Sequence, residues 1–313
     1  MIRLTSILHG YPPVHNAGAE LYMHQVHRWL ISRGHQVRVL VLKQPPADEY
    51  EQVETGWLNH DDPLTDSVFL THLDATRLAV GIADHYHRPL VHVLHNDRQL
   101  VAHRVRQAAL IVANSDWIRP SIPSWLRNVP QLTLYPPTFL ADYSTDPRER
   151  NAFTLVNLTH AKGAKLFYSL AQLLPDRQFI GVIGGYGRQM SAPRLANLHI
   201  LPNRPDLRPV WDETRIYLQP SSYESFGKAA MEAMASGIPV IAHPTLGLQE
   251  ALGSAGIFCD RAKLRDWWVA IRNLDHPVTY ERAAAAALAR AKEVELETVR
   301  QLGDFEAALE GLM

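Results

Sequence analysis

The sequence predicts a two-domain α/β protein in which each domain is a mostly parallel sheet covered by helices. Three observations predict it. The chain has 313 residues, about twice the size of an ordinary domain. Short apolar runs rich in β-branched residues alternate with segments of helical period, the pattern of strands joined by crossover helices. That alternation stops once, between Tyr135 and Asn151, and then resumes.

Taken in order, strands are expected at Arg3 to Leu8, Gln36 to Leu42, Leu90 to Leu94, Leu110 to Ala113 and Gln131 to Leu134. Between the first two, Tyr22, Val26, Trp29 and Leu30 fall on one helical face, and Gly34 is placed to end that helix. Pro45 to Thr71 carries few signals. The break holds Pro136-Pro137, the polar run Asp142 to Pro147 and the charged Arg148 to Arg150, which reads as a linker. Domains are therefore expected over 1–140 and 151–313, the last helix being a candidate to pack back on the first. In the second domain, strands are expected at Phe153 to Leu158, Phe179 to Ile183, Leu198 to Leu201, Ile216 to Leu218 and Pro239 to Ala242, with mainly helix from Asp260 onward. Two open sheets in succession imply a central cleft faced by the carboxyl ends of the strands, and ligands of such folds bind there.

Composition narrows the function. Lys and Arg total 31 against 32 Asp and Glu, so there is no excess charge to hold nucleic acid non-specifically. The single cysteine, Cys259, has no intramolecular partner and reads as a small buried apolar residue, which suits a reducing cytoplasm. No signal peptide and no spanning apolar run is expected, so a soluble, cytoplasmic location follows, with peripheral membrane contact left open. P-loop, Gly-x-Ser-x-Gly, dinucleotide-fingerprint and Asp-x-Asp patterns are lacking.

The most informative run is Pro220 to Ala242. A strand ends near Gln219, a loop carries Glu224, and a helix begins near Phe226 or Gly227 and stops at Gly237. Such a helix start, with Ser225, Phe226, Gly227 and Lys228 around it, presents backbone N–H groups and a positive dipole end to an anion such as a diphosphate. Glu232, over one helical turn further in, suits a vicinal diol such as a ribose. A second loop, Asn157 to Gly163, places Lys162 where a cation can neutralise a leaving phosphate. Gly184-Gly-Tyr-Gly187 forms a third turn after a strand.

The Glu-x7-Glu spacing of Glu224 and Glu232, within Pro-Ser-x-x-Glu-Ser-Phe-Gly and Glu-Ala-Met-Ala-x-Gly-x-Pro-Val-Ile-Ala, resembles glycosyltransferase family four (glycosyl transferases group 1). The resemblance implies a GT-B fold, with two Rossmann-like domains facing a central cleft. It also implies retaining, metal-independent transfer of a hexose from a nucleotide-diphosphate sugar such as a UDP-sugar or GDP-sugar. No cofactor and no metal are expected. Glu224, Lys162 and His95 would be catalytic. Gly18, Asn157, Lys162, Gly184, Ser225, Phe226, Gly227, Lys228 and Glu232 would bind the donor. The family commonly has an arginine where this chain has Asn157, so one cation of the phosphate clamp is missing.

In the first domain, His9 to Glu20 is similar to the family's glycine loop, with Gly18 facing the phosphates and Glu20 expected to cap the first helix electrostatically. His95 falls where many members place a sugar-facing histidine. Ser115 suits an N-cap. His92 with His95, and His85 with His87, have metal-like spacings but no third ligand. Arg98, Arg104, Arg106 and Arg119 suit an anionic acceptor or a solvated face. The acceptor itself, whether glycan, lipid, small molecule or protein, is not legible, and no nucleic-acid partner is expected. Two alternatives stay open: a nucleotide-sugar epimerase or hydrolase on the same fold, and a catalytically silent nucleotide-sugar-binding protein.

Overall fold

A computed structural model describes residues 1–43, 48–58, 67–143 and 150–313. The linker segment 144–149, and Pro45 with parts of the stretch that follows it, lie outside the described residues.

The elements of the first unit are β1 (Arg3–Leu8), α1 (Gly18–Ser32), β2 (Gln36–Val41), β3 (Glu49–Tyr50), β4 (Val53–Trp57), β5 (Val68–His72), α2 (Thr76–Tyr86), β6 (Leu90–Leu94), α3 (Gln99–Ala102), β7 (Leu110–Ala113) and β8 (Gln131–Thr133). Their sheet runs β3-β4-β2-β1-β5-β6-β7-β8, parallel except for the β3–β4 pair. Ile7, Leu40, Phe69 and Ala79 fill one core cluster, and Leu94, Ile111, Ile118 and Leu126 another. α1 buries Tyr22, Met23, Val26 and Leu30, and Gly34 follows it at φ +86°, the left-handed conformation that closes a helix. The strand β5 and the short β3 and β4 come from the weakly patterned stretch. Phe69 and Leu70 are fully buried on both faces, so β5 shows no alternation to read.

The second unit holds α4 (Leu140–Tyr143), β9 (Ala152–Val156), α5 (Ala164–Leu173), β10 (Gln178–Val182), β11 (Leu198–Leu201), α6 (Arg208–Trp211), β12 (Thr214–Gln219), α7 (Lys228–Ala235), β13 (Val240–Ala242), α8 (Leu246–Leu252), β14 (Ile257–Phe258), α9 (Leu264–Asn273) and most of α10 (Pro277–Glu310). Its sheet is wholly parallel in the order β11-β10-β9-β12-β13-β14. Phe153, Phe167 and Phe179 meet edge to face at 5.3 and 5.4 Å and pack with Trp267 and Ile271. Cys259 is buried, its thiol pushed up to about 11 by burial first and Asp266 second.

The chain divides after Pro137, and Glu297–Met313 returns to the first unit. Residues 138–140, expected in the first domain, therefore fall with the second unit, and the end of α10 falls with the first. Within that first unit the return is anchored by Leu302, Phe305 and Leu309, all buried. Tyr135 N–H donates to Gln301 Oε1 at 2.7 Å, and His35 Nε2 lies 2.6 Å from Glu306 Oε1.

Candidate active site

In each sheet the chain reverses direction of travel beside the first strand of its unit. Parallel strands leave their carboxyl ends open at that point, and the loops there are free of crossing helices. In the second unit the reversal lies between β9, followed by the Asn157–Gly163 loop, and β12, followed by the Pro220–Gly227 loop. Those two loops are zipped together by Ser222 N–H donating to the Ala161 carbonyl at 2.8 Å.

The zipper brings Lys162 and Glu224 together. Lys162 Nζ donates to Glu224 Oε1 at 2.5 Å, and the side chains are only 16% and 10% exposed. Gln219 Nε2 at 2.5 Å and Ser221 Oγ at 2.7 Å donate to the same oxygen. All three bonds fall on Oε1, so the carboxylate is oriented through one oxygen. Burial would lower Lys162, but Glu224 and then Tyr186 outweigh it and hold the ammonium well above its ordinary range. The Tyr186 ring centre lies 6.0 Å from Nζ.

Gly227 stands immediately before α7 at φ +108°, a conformation a side chain would strain, and Phe226 turns its ring into the core. The first N–H groups of α7 have no intrahelical acceptor, so this turn offers backbone donors beside the Lys162–Glu224 pair. Ser225 and Lys228 flank it half-buried. Glu232 is buried on α7 and pairs with Lys228 one turn back. Tyr143 also reaches Glu232; burial first, and that carboxylate second, hold its hydroxyl well above the usual range.

Sequence reasoning missed Tyr143 and Gly247. A Cβ on Gly247 would stand 2.4 Å from the Glu224 carbonyl oxygen and 2.6 Å from the Ser225 carbonyl carbon. The start of α8 thus lies directly on the backbone that carries Glu224. A lone glycine 23 positions beyond Glu224 in the chain gives no local signal of that contact.

Asn157 sits at φ +70° and is buried, with its Oδ1 accepting from Gln189 Nε2 at 3.1 Å. Gln189 Oε1 in turn accepts from Gly184 N–H at 3.1 Å and Leu158 N–H at 2.8 Å. Asn157 and Gly184 are thereby brought together as packing partners: a Cβ on Gly184 would lie 2.2 Å from Asn157 Cγ. The amide is engaged inside the loop. Arg261 is tied to the same loop, its guanidinium donating to the His160 carbonyl at 3.2 Å.

In the first unit, His95 follows β6 and pairs with His72, which ends β5, at 3.0 Å from Nε2 to Nδ1. Burial, with His9 adding to it, pushes His95 down to about 3. Gly18 opens α1 and is exposed, with nothing within 4 Å of where a side chain would stand. Glu20 lies on the first turn of α1, where an electrostatic cap was expected, but it is also 1% exposed and faces His9, His15 and His72. Ser115 precedes a short 3-10 turn without a side-chain cap bond, its hydroxyl lying 3.3 Å from Asn114 Oδ1 instead. Of the arginines, Arg106 stacks on Trp125 at 5.2 Å and Arg119 pairs with Asp116 at 3.8 Å. Among the described residues no helix is long and apolar enough to cross a membrane.

Two solved structures superpose along nearly the whole chain. Sucrose-phosphate synthase from Thermosynechococcus elongatus gives a TM-score of 0.79 at 16% identity, covering 99% of this chain and 100% of that one. Anabaena Alr3699/HepE, solved in complex with UDP and glucose, gives 0.79 at 17% identity, covering 100% of both chains. The fold is therefore GT-B: two Rossmann-like α/β units with parallel sheets. Residues 150–275 match the family described as Glycosyl transferases group 1. A D-inositol 3-phosphate glycosyltransferase from Mycobacterium sp. (strain KMS) is 32% identical over 156 residues, covering 44% of this chain. That match spans 36% of the relative's length.

Proposed function

We propose that the protein is a retaining glycosyltransferase that moves a hexose from a nucleotide-diphosphate sugar to an acceptor hydroxyl, with no metal on the leaving diphosphate. The observation that carries the reading is the buried Lys162–Glu224 pair beside the start of α7. A cation and a row of backbone donors meet there, which is what a departing diphosphate needs, since negative charge grows on its oxygens as the glycosidic bond breaks. Glu224, oriented through Oε1, serves the sugar, and Glu232 serves the ribose. Ser225, Phe226, Gly227 and Lys228 contribute through the backbone. In the first unit, His95 is a neutral hydrogen-bonding contact for the sugar, and Gly18 leaves room for the donor.

In the step itself, the bond from the anomeric carbon to the diphosphate oxygen breaks and the nucleoside diphosphate leaves with the electron pair. The acceptor oxygen attacks the same face of the oxocarbenium-like centre, and its proton passes to the departing phosphate oxygen. Relatives named as glycosyltransferases and a neighbour solved with UDP and glucose support this class of donor. Work in the cytoplasm fits a nucleotide-sugar donor.

The test is incubation of the purified chain with UDP-, GDP- and dTDP-hexoses and a panel of glycan, lipid, small-molecule and protein acceptors. The anomeric configuration of the product is read by NMR, with and without a chelator. Transfer with the donor's configuration kept, undiminished by the chelator, is the expected result. Sugar release or epimerised donor without acceptor would make it a hydrolase or epimerase. Saturable binding with no diphosphate release would make it a silent binder.

A further inference from the structure

The parallel register of the first sheet places three strand ends side by side, because β1 lies next to β5 and β5 next to β6. His9 follows β1, His72 ends β5, and the loop after His9 brings in His15 and then Glu20 on the first turn of α1. We propose that His9 Nε2, His15 Nε2 and Glu20 Oε1 bind a divalent transition-metal cation of the zinc class, with His72 Nε2 the next side chain at hand.

The separations fit. His9 Nε2 lies 3.3 Å from His15 Nε2 and 3.2 Å from Glu20 Oε1, and His15 Nε2 is 4.0 Å from that oxygen. Ligand atoms on a tetrahedron with zinc bonds of about 2.0–2.1 Å are about 3.3–3.4 Å apart, so the three atoms outline one face. His72 Nε2 is 3.8 Å from the same carboxylate oxygen and lies beside the cluster of three. Its other nitrogen, Nδ1, meets His95 Nε2.

A second, independent observation is the state of the polar atoms. Both oxygens of Glu20 and Nε2 of His72 are buried without any hydrogen-bond partner, and their side chains are 1% and 0% exposed. A carboxylate so placed is costly unless something of opposite charge meets it. Burial pushes the Glu20 carboxyl up to about 7, its own backbone N–H opposes that rise, and Lys43 and Asp74 act on it in opposite senses. Burial also keeps His9 and His15 below their ordinary range, and neutral imidazole is the form that ligates. Two imidazoles and one carboxylate suit zinc, cobalt or nickel and not the oxygen-seeking calcium or magnesium. This site involves none of the donor residues of the second unit and does not rest on the transfer reading. Bound metal would tie the loop that leads to Gly18 to the end of β1 and the first turn of α1.

The full-length chain, stripped by dialysis against a chelator and titrated with cobalt(II) and then zinc, tests this. One equivalent of cobalt with a visible band of four- or five-coordinate intensity, displaced by one equivalent of zinc, is expected for the wild type and for the surface control His199→Ala. His15→Ala and Glu20→Gln should bind at least about 100-fold more weakly while keeping the far-ultraviolet circular dichroism of the metal-free wild type. His15 is at the half-buried rim, so His15→Ala keeps the test available if Glu20→Gln fails to fold. Absence of a cobalt band in the wild type, or equal binding by His15→Ala, overturns the proposal.

Discussion

Replacing Lys162 with Met keeps the aliphatic stem and deletes the charge, which separates a structural counter-ion from a group that stabilises the leaving diphosphate. Breaking a buried ion pair by removing one partner costs about 3–5 kcal/mol. Here Glu224 keeps the donors Gln219 and Ser221, and both members of the pair retain some exposure, so a loss below that range, about 2 kcal/mol, is expected. For a unit of this size that lowers the thermal midpoint by roughly 4–8 °C. The chain stays folded at 25 °C, so lost stability does not by itself lower the rate. Losing one preorganised group at a developing oxyanion costs about 10²–10³ in kcat. The assay is release of nucleoside diphosphate under saturating donor, with melting curves on the same samples. A lowered midpoint with kcat intact would refute the catalytic assignment and leave Lys162 as the counter-ion of Glu224.

Glu232→Gln, which keeps the shape but weakens the acceptor shared by Lys228 and Tyr143, is expected to raise the donor KM by about tenfold while kcat changes little, the signature of lost uniform binding. Gly247→Ala forces a Cβ to 2.4 Å from the Glu224 carbonyl oxygen, so a destabilisation of about 1–3 kcal/mol and displacement of the Glu224 loop should lower transfer; an unchanged melting curve would contradict the close approach. Asn157→Arg should not supply the missing phosphate cation. Its left-handed backbone and its place against Gly184 and Gln189 leave no room, and a loss of about 2 kcal/mol in urea unfolding without a gain in donor affinity is expected. The first unit should weaken in acid. Burial pushes His92 down to about 4 and, with His24 adding to it, His27 down to about 3, both from 6.5. The unfolded chain takes up these protons first, so stability is full above about pH 6.5 and is lost as pH falls toward 3. Each ring accounts for about 2 kcal/mol between pH 7 and 5, and His92→Leu should flatten the fall in urea midpoints over that interval.

What was legible in the sequence depended on whether chemistry and chain order coincide. Strands such as Arg3–Leu8, Leu90–Leu94 and Leu198–Leu201 stand in the structure where their β-branched runs place them. The run from Pro220 to Ala242 carries strand end, loop, helix start and both glutamates in consecutive residues, so its local form could be read directly. The partners of that run could not. Tyr143 and Gly247 approach it only through packing, and the engagement of Asn157 with Gln189 depends on a turn 32 residues away. The strand β5 was hidden for a different reason, since a strand buried on both faces has no polar alternation.

The histidines of the first unit show the same limit from the opposite side. Spacing along the chain paired His92 with His95 and then set them aside for want of a third ligand. Metal-like grouping in a parallel sheet arises instead across strands, where residues at the carboxyl ends of neighbours share one edge. That rule needs the strand order β1-β5-β6, and β5 was the strand the sequence did not reveal. With β5 in place, His72 stands between Glu20 and His95, in contact with both. The histidine assigned to the sugar and the cluster assigned to a cation are therefore joined through one ring. A change at Glu20 or His15 that alters how His72 is held should register at His95 without touching it directly, and His95 substitutions should in turn shift the cobalt spectrum of the cluster.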